Sequence, residues 1–384
     1  MNPFKYGDPV QGEYYLDRNQ LNKSVLTFIE SKINVVLLGP RRYGKTSFVL
    51  NLISNLDKKG YTTVFVDVFN VTTHRDFLNQ FMGAISQKKT VAKKVIEWLK
   101  KMPKQFRPAL EWEAESGAFP NLKLSLQAHK LSDDQVKQLI SDALGSLELL
   151  AQKTFIVFDE FQTIGKLEDD GWLEATIRSK MQLQKRVSFL FSGSRHGIIH
   201  DMFNNPSRPF YRSCQLIDFP SFGPEFTDWI VQRFHIASVE CPPESIDYLR
   251  KFVDDTPNYV QMACFHLVAN EVKKIDPKAI DSVLRRITAQ NSYPYQTILN
   301  SLSPVQQRVL RLAACEGKAI YTREILEKYE IKTGAHVSQA IKSLVSKQIL
   351  DESTGKGVVI FDDPLFKIWL RNEFAAGGHV AEII

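Results

Sequence analysis

The sequence Gly39-Pro40-Arg41-Arg42-Tyr43-Gly44-Lys45-Thr46 fills every fixed position of the pattern G-x-x-x-x-G-K-[ST]. An apolar run at residues 33–38 precedes it, and a helical pattern at residues 47–53 follows it. A phosphate-binding loop requires this context, because its glycines turn backbone N–H groups inward and the helix N-terminus adds partial positive charge. A chance match on a surface turn is the alternative, which the flanking strand and helix disfavour. The stretch therefore predicts a nucleoside triphosphate site.

We expect this loop and the residue after it to bind the nucleotide through Gly39, Pro40, Arg41, Arg42, Tyr43, Gly44, Lys45, Thr46 and Ser47. Lys45 would reach the β- and γ-phosphates and assist catalysis, and the Thr46 hydroxyl would bind Mg²⁺. The two arginines leave two alternatives open. They either contact phosphate oxygens bidentately or point away from the nucleotide and anchor the loop.

Two adjacent carboxylates, Asp159 and Glu160, follow an apolar run at residues 155–158. Asp159 would hold the Mg²⁺ shell beside Thr46, and Glu160 would orient the attacking water or accept its proton. A solvated strand end is the alternative, which the upstream P-loop disfavours. A glutamate at this place also favours water as the phosphoryl acceptor, so a kinase or another phosphotransferase is disfavoured.

Another apolar strand ends in polar residues, Ser192-Gly193-Ser194-Arg195. Arg195 would stabilise charge on the transferring phosphoryl group, and Ser192 or Ser194 would position water. A tight turn that uses Ser-Gly-Ser for its backbone freedom is the alternative.

Two further arginines, Arg208 and Arg212, flank the residues Pro209-Phe210-Tyr211. An arginine at this place acts within the chain, reaches a neighbouring subunit's nucleotide as a finger, or staples the loop with a salt bridge. The sequence leaves these roles open.

Length and composition set the class of protein. A chain of 384 residues accommodates two or three domains, and 43% apolar with 24% charged residues is ordinary for a globular protein. The net charge of +6 permits nucleic acid or acidic partners without demanding them. Four scattered cysteines without a C-x-x-C pair argue against zinc and a disulfide framework. With no signal peptide and no long apolar run, we expect a cytoplasmic protein without a membrane partner.

Hydrophobic periodicity divides the chain into three predicted domains. Residues 1–222 read as an α/β P-loop core with a parallel sheet, with strands at 33–38, 62–68, 154–158, 187–191 and 213–219 and a helical insertion near 74–150. Residues 223–300 read as an all-α lid with helices at 226–234, 244–253, 259–272 and 277–290. Residues 301–384 read as a winged helix-turn-helix domain, with helices at 304–315, 322–329 and 334–347 before two short strands.

A basic segment lies inside the predicted insertion. Residues 88–107 carry eight basic side chains against one acid. The segment is interpreted as a solvated helix face or as a surface for a partner or nucleic acid.

These motifs together resemble the archaeal and bacterial P-loop ATPases of the AAA+/STAND type. The resemblance covers nearly the whole chain, from Tyr15-Leu16-Asp17-Arg18 through the P-loop, Phe158-Asp159-Glu160-Phe161-Gln162 and Phe191-Ser192-Gly193-Ser194-Arg195, to Asp363-Pro364-Leu365-Phe366-Lys367-Ile368-Trp369-Leu370-Arg371. Pro209-Phe210-Tyr211-Arg212 also has a counterpart, but the family's glycine before that arginine is replaced by Tyr211.

The resemblance implies further roles. Arg18 would lie near the nucleotide base, and Pro257 would belong to a Gly-x-Pro segment that senses bound nucleotide. Here Asp255 stands in place of that glycine. The resemblance also implies a switch in which ATP closes the helical domain and the winged helix onto the core, and hydrolysis or nucleotide exchange releases them.

Two functions of different class follow. The first is an ATP-hydrolysing switch with Mg²⁺ as cofactor, acting on an unidentified protein partner or as a nucleotide-dependent homo-oligomer. The second is a nucleotide-controlled DNA-binding regulator with little turnover, in which residues 334–347 form the recognition helix. That helix offers Lys342 and Lys347, with His336, Ser338 and Gln339 near its start. The absence of an Asn/Thr-Lys-x-Asp guanine motif favours ATP over GTP.

Overall fold

The computed structural model describes residues 2–87, 110–111, 125–126, 131–149, 153–194, 197–316, 322–352 and 359–376. The chain forms two compact units. The core unit comprises Asp17–Pro40 and Gly44–Pro220, and the helical unit comprises Met1–Leu16, Arg41–Tyr43 and Ser221–Ile384. The short segment Arg41–Tyr43 therefore belongs to the helical unit although its sequence lies inside the P-loop.

The core unit is built on a parallel sheet. Its strands are β1 (Val35–Gly39), β2 (Thr62–Asp67), β5 (Thr154–Asp159), β6 (Val187–Ser194) and β7 (Gln215–Asp218), in the order β2-β5-β6-β1-β7. Two short strands, β3 (Leu110–Glu111) and β4 (Ser125–Leu126), form a separate antiparallel pair. All five predicted strands of the parallel sheet are present, so the predicted α/β fold class is confirmed.

The central strands are short and apolar, which is typical of parallel strands that are buried on both faces. Every residue of β1, β5 and β6 is buried. Since β6 pairs with both β1 and β5, the carboxyl ends of these three strands meet at one edge. Gly39 at the end of β1 is in register with Ser194 of β6, and Phe158 of β5 is in register with Phe191. This edge brings the P-loop and the carboxylate pair together.

The described part of the core unit contains six helices: α1 (Asn19–Glu30), α2 (Lys45–Lys58), α3 (His74–Ser86), α4 (Asp133–Ser146), α5 (Trp172–Leu183) and α6 (Gly197–Asn204). Short 3₁₀ segments follow α4 and β5 at Leu147–Leu149 and Phe161–Lys166. Helices α3 and α4 lie within the predicted helical insertion, and each starts with a capping box, from Thr73 and Ser132 respectively. The basic segment at residues 88–107 lies outside the described residues.

A cluster of phenylalanine rings supports the functional edge of the sheet. Phe191 lies against Phe158 with ring centroids 5.8 Å apart and planes 9° apart. Phe161, Phe203 and Phe210 surround Phe191 at centroid distances of 4.5, 5.6 and 5.3 Å. Aromatic pairs at these separations add to the stabilisation from apolar burial. Phe158, the residue directly before Asp159, also lies against the rings of Phe77, Phe81, Phe161 and Phe189. It is therefore fixed by packing on several sides.

The helical unit contains nine described helices: α7 (Glu225–Ile236), α8 (Pro243–Phe252), α9 (Pro257–Ala269), α10 (Pro277–Gln290), α11 (Ser292–Asn300), α12 (Pro304–Glu316), α13 (Arg323–Lys328), α14 (Gly334–Ser346) and α15 (Pro364–Ala376). Strands β8 (Leu350–Glu352) and β9 (Val359–Phe361) pair antiparallel as a wing. The helices predicted at 226–234, 244–253, 259–272 and 277–290 are present, and so is the predicted winged helix. Periodicity did not predict α11 or α15. One apolar core runs from α7 through α15 and includes Phe4, near the start of the chain.

No described helix is both long and apolar enough to cross a membrane.

Candidate nucleotide-binding site

The two glycines of the P-loop meet different backbone demands. Gly44 has φ +90° and is the N-cap of α2, a left-handed conformation that favours glycine. Gly39 ends β1, where an added Cβ would lie 2.6 Å from the Cβ of Phe219. A side chain at Gly39 would therefore push Phe219 away from the loop. Both positions require glycine, for conformation at Gly44 and for space at Gly39.

The ammonium group of Lys45 lies next to the first two residues of the P-loop. Its side chain is buried, and its ammonium donates to the carbonyl oxygens of Gly39 and Pro40, each at 2.8 Å. Ser47, on the first turn of α2, is also buried. The first N–H groups of a helix have no partner within the helix, so the start of α2 supplies donors for an anion.

Thr46 and Asp159 are brought into direct contact. The Thr46 hydroxyl donates to Oδ2 of Asp159 at 2.8 Å, and the Ser192 hydroxyl donates to Oδ1 of the same carboxylate. Asp159 is buried, and this burial raises its pKa, while the hydrogen bonds from Ser192 and Thr46 oppose the rise. The carboxylate that the sequence placed beside Thr46 is therefore adjacent to it.

Glu160 is placed differently from its neighbour. Its backbone has φ +56°, and its side chain is half-buried. Oε2 of Glu160 accepts a hydrogen bond from the amide nitrogen of Gln162. The left-handed residue turns the chain after β5, so one carboxylate is enclosed by Thr46 and Ser192 and the next is accessible to solvent.

The two serines at the end of β6, Ser192 and Ser194, have different surroundings. The Ser192 hydroxyl is committed to Asp159. Oγ of Ser194 is buried and has no hydrogen-bond partner among the described residues. Ser194 is in register with Gly39, the first residue of the P-loop. Arg195 lies outside the described residues.

Arg208 has a structural partner. Its Nη2 lies 2.6 Å from Oε1 of the buried Glu174, and its Nε lies 3.6 Å from Oδ2 of Asp201. Arg212 is exposed, and its guanidinium lies 5.1 Å from the centroid of the Tyr211 ring. Arg208 thus makes the salt bridge that the sequence offered as one alternative, whereas Arg212 remains accessible.

Arg18 is buried next to the loop. Its guanidinium lies 4.3 Å from the centroid of the Phe219 ring and donates to the carbonyl oxygen of Pro220. Phe219 is also the residue that a side chain at Gly39 would meet. The Phe219 ring therefore links Arg18 to the start of the P-loop. No sequence pattern had singled out this phenylalanine.

The side chains of Arg41 and Arg42 have partners within the helical unit. Arg41 donates to Oε1 of Gln348 at 2.7 Å and lies 3.5 Å from Oδ2 of Asp362. The Arg42 guanidinium lies 4.9 Å from the Tyr259 ring centroid. These contacts anchor both arginines.

Tyr43 makes a third contact of this kind. Its hydroxyl donates to the backbone oxygen of Asp254 at 2.9 Å. All three residues of the segment Arg41–Tyr43 therefore have partners within the helical unit.

The segment before α9 explains why aspartate can replace glycine. Asp254 and Asp255 have φ values of +47° and +53°, so both adopt the left-handed conformation. Asp255 is held there by the Arg250 guanidinium, with Nε 2.6 Å from Oδ1 and Nη2 3.2 Å from Oδ2. Pro257 is buried at the first position of α9, where its missing N–H leaves no hydrogen bond unmade.

Gln162 belongs to the motif Phe158-Asp159-Glu160-Phe161-Gln162, but no role was predicted for it. The available signal was its spacing two residues after Glu160.

Among the described residues, no group of three or more His, Cys, Asp or Glu side chains is arranged to hold a metal ion.

Comparison with known proteins identifies two segments. Residues 15–217 match the family model described as an ATPase domain predominantly from Archaea, and residues 293–372 match a probable winged helix domain. The predicted resemblance to P-loop ATPases with a C-terminal winged helix is thereby confirmed. No curated protein matches the sequence significantly.

Solved structures share the fold, among them two archaeal proteins. A Walker-type ATPase of Pyrococcus abyssi superposes with a TM-score of 0.64 at 16% identity, over 94% of this chain and 97% of that one. The ORC2 protein of Aeropyrum pernix, in its ADPNP–ADP complexes, superposes with a TM-score of 0.55 at 14% identity, over 94% of each chain. Because the ATPase family model covers more than half of its length, this chain belongs to the family of ATPase domains found predominantly in Archaea, and it is an ATPase.

Proposed function

We propose that this ATPase is a molecular switch that couples Mg·ATP binding and hydrolysis to movement of the helical lid and the winged helix. The observation that carries the proposal is the 2.8 Å hydrogen bond between Thr46 and Asp159, with Glu160 as the next residue. A P-loop threonine beside a strand-end aspartate is the arrangement used to hold the metal of a bound triphosphate. The proposed domains are an ATPase core at 1–222, a lid at 223–300 and a winged helix at 301–384.

ATP is the proposed nucleotide, and ADP its product. Lys45, at the start of α2, would contact the β- and γ-phosphates, supported by the backbone of residues 39–47. Arg18 and Pro257 are proposed to lie near the nucleotide. The A. pernix ORC2 protein, which shares the fold, was solved as ADPNP–ADP complexes.

The oxygen groups beside the loop fit Mg²⁺. A phosphate-bound Mg²⁺ needs only one or two carboxylates from the protein, because phosphate oxygens and water complete its shell. Thr46 and Asp159 offer a hydroxyl and a carboxylate, both hard oxygen ligands, and these atoms already lie together. When bound, the ion would neutralise charge on the phosphates.

Glu160 is the proposed general base. Its half-buried carboxylate follows β5 directly and is accessible to water, whereas the Asp159 carboxylate is enclosed by two hydroxyl donors. Glu160 would orient the attacking water and accept its proton. The buried Ser194 hydroxyl would hold the same water or a phosphate oxygen, and Arg195 would stabilise charge on the transferring group.

Arg41 supports the proposed coupling. Its position in the sequence lies within the P-loop, but its guanidinium contacts Gln348 and Asp362 of the winged helix. A phosphate binds guanidinium in the same bidentate manner as a carboxylate does, so nucleotide and Asp362 would compete for Arg41. Nucleotide binding to the loop would thereby alter the contact between Arg41 and the winged helix.

The deciding experiment compares ATP binding and hydrolysis in Glu160→Gln and Lys45→Ala variants. Glu160→Gln should bind ATP with native affinity and lose at least 100-fold in kcat, since it removes a general base. Lys45→Ala should weaken binding itself. Normal phosphate release by Glu160→Gln would reject the assignment of the base, and unchanged ATP affinity in Lys45→Ala would reject the role of the loop.

A DNA-binding regulator is the second candidate, favoured by one surface. Helix α14 exposes Lys342, His336, Ser338 and Gln339, and Lys347 is exposed just after its end. Lysines would contact phosphates and Gln339 would face a base edge. In a salt titration with duplex DNA, the affinity should fall steeply as phosphate contacts are screened. Absence of binding at low salt would leave the winged helix as a module for an unidentified protein partner.

Two further proposals concern the oligomeric state and the cellular compartment. The exposed Arg212 is suited to act as a finger in a nucleotide-dependent homo-oligomer. A cytoplasmic location is proposed, since the thiols of Cys214, Cys241, Cys264 and Cys315 are free, as expected in a reducing compartment.

A further inference from the structure

Gln162 is a buried polar residue to which the proposed mechanism gives no role. It belongs to the 3₁₀ segment Phe161–Lys166, which begins directly after Glu160, and only 5% of its surface is exposed. Its amide nitrogen donates to Oε2 of Glu160. A polar side chain loses its hydrogen bonds to water when buried, so a glutamine here must be held by partners. The described partner is the proposed base.

The chemistry of the contact fixes the orientation of the amide. An ionised carboxylate only accepts hydrogen bonds, so the NH₂ group of Gln162 must face Glu160. The amide oxygen then faces the other way. It is buried and has no hydrogen-bond partner among the described residues.

Gly193 makes room for that oxygen. An added Cβ on Gly193 would overlap Oε1 of Gln162 and would lie 2.7 Å from Cδ1 of Ile199. Any side chain at Gly193 would therefore displace the amide. The glycine of β6 and the glutamine after β5 therefore form one packed pair behind Glu160.

The hydrogen bond restricts an otherwise loosely held side chain. Glu160 is half-buried, and a glutamate has several rotatable bonds. A donor on a buried, packed residue limits the positions that the carboxylate can adopt. Catalysis is sensitive to such placement, because a displacement of about 1 Å can lower a rate roughly 100-fold.

We infer that Gln162 is a positioning residue for ATP hydrolysis: its amide fixes the Glu160 carboxylate toward the attacking water, and Gly193 provides the space for the amide. This inference rests on the proposed role of Glu160 as general base. It assigns Gln162 to the chemical step and not to nucleotide binding, because its contact is made to the base.

The first test replaces the amide with an unbranched apolar chain of similar length. Gln162→Met should lower kcat roughly 10- to 100-fold and leave the KM for ATP within about twofold. The matched control is Gln184→Met, since Gln184 also donates from a partly buried amide, to the carbonyl oxygen of Leu144 at 3.1 Å. The control should retain full kcat. Native kcat in Gln162→Met, or an equal loss in the control, would overturn the inference.

A double variant separates this inference from the proposed function. If Gln162 acts through Glu160, Gln162→Met should lower the residual rate of Glu160→Gln no further. An additional loss in the double variant would show that Gln162 acts elsewhere. Normal turnover in Glu160→Gln alone would reject the general base and this inference together. A dead Glu160→Gln with a fully active Gln162→Met would reject only the inference.

Gly193→Ala provides a second route that leaves Gln162 in place. In the native background the new methyl group should displace the amide and lower kcat as Gln162→Met does. In a Gln162→Ala background, where the obstructed amide is absent, Gly193→Ala should have no further effect on kcat. An equal loss in both backgrounds would show that Gly193 serves only packing against Ile199 and would contradict the proposed pair.

Discussion

Arg41 and Asp362 are 321 positions apart in the sequence, yet Nη1 of the arginine lies 3.5 Å from Oδ2 of the aspartate. The arginine is part of the P-loop sequence, and the aspartate precedes the last helix of the winged helix domain. If phosphate and Asp362 compete for one guanidinium, the affinity for ATP and the hold on the winged helix are reciprocally linked.

Removal of the competing charge should strengthen ATP binding. We expect Asp362→Asn to lower the Kd for ATP about two- to fivefold, since a partly exposed ion pair contributes up to about 1 kcal/mol. Titration of the protein with a fluorescent ATP analogue measures the change. The control is Glu330→Gln, which breaks the ion pair with Arg308 in the same domain and should leave the Kd unchanged. Weaker ATP binding in Asp362→Asn would contradict the competition.

The contact between Thr46 and Asp159 leads to a prediction about the metal. Thr46→Val removes the hydroxyl and keeps the shape of the side chain, so the Mg²⁺ concentration for half-maximal hydrolysis should rise about 10- to 100-fold. Thr46→Ser retains the hydroxyl and should stay close to the native value. The assay is ATPase rate against Mg²⁺ at saturating ATP. Equal Mg²⁺ dependence in the two variants would remove Thr46 from the metal site.

Glu174 should make the stability of the core unit depend on pH. Burial raises the pKa of this carboxyl to about 7 from an ordinary value of 4.5, although the charge of Arg208 opposes the rise. The folded state then binds the proton more tightly than the unfolded state does. The stabilisation is fully present below about pH 4.5 and is lost as the pH rises toward 7.

Urea unfolding across this pH range tests the prediction. The free energy of unfolding of Glu174→Gln should fall less between about pH 4.5 and pH 7 than that of the native protein, because the variant has no proton to release there. The exposed Glu168 serves as the control, and Glu168→Gln should retain the native pH dependence. An unchanged slope in Glu174→Gln would show that another group titrates.

The sequence predicted the sheet and the meeting of Thr46 with Asp159 for one physical reason. Runs such as those ending at Gly39 and Asp159 are too apolar to be exposed on either face, and parallel strands bring their carboxyl ends to one edge. Helix α11 was not predicted because only Asn291 separates it from α10 and because it contains Pro294, which usually signals a break but is tolerated in a first helical turn.

The contacts of Gln162 and Arg41 depend on details that periodicity does not carry. Gln162 reaches back to Glu160 because Glu160 itself adopts a left-handed backbone, which no residue pattern required. Arg41 contacts Asp362, which lies 321 positions later in the sequence. Both contacts are set by tertiary structure.

The phenylalanine cluster leads to a prediction about stability. Phe191 is fully buried against Phe158 and four further rings of the core unit, so Phe191→Ala leaves a cavity that its aromatic neighbours fill only in part. We expect a loss of roughly 3–5 kcal/mol in the free energy of unfolding, measured by urea denaturation. Phe69 is 60% exposed, and Phe69→Ala should change the stability by less than about 0.5 kcal/mol. Because Phe158 immediately precedes Asp159, Phe191→Leu, which retains more of the packing, should lower kcat more than it weakens ATP binding. A Phe191→Ala variant as stable as Phe69→Ala would show that the ring cluster does not support this edge of the sheet.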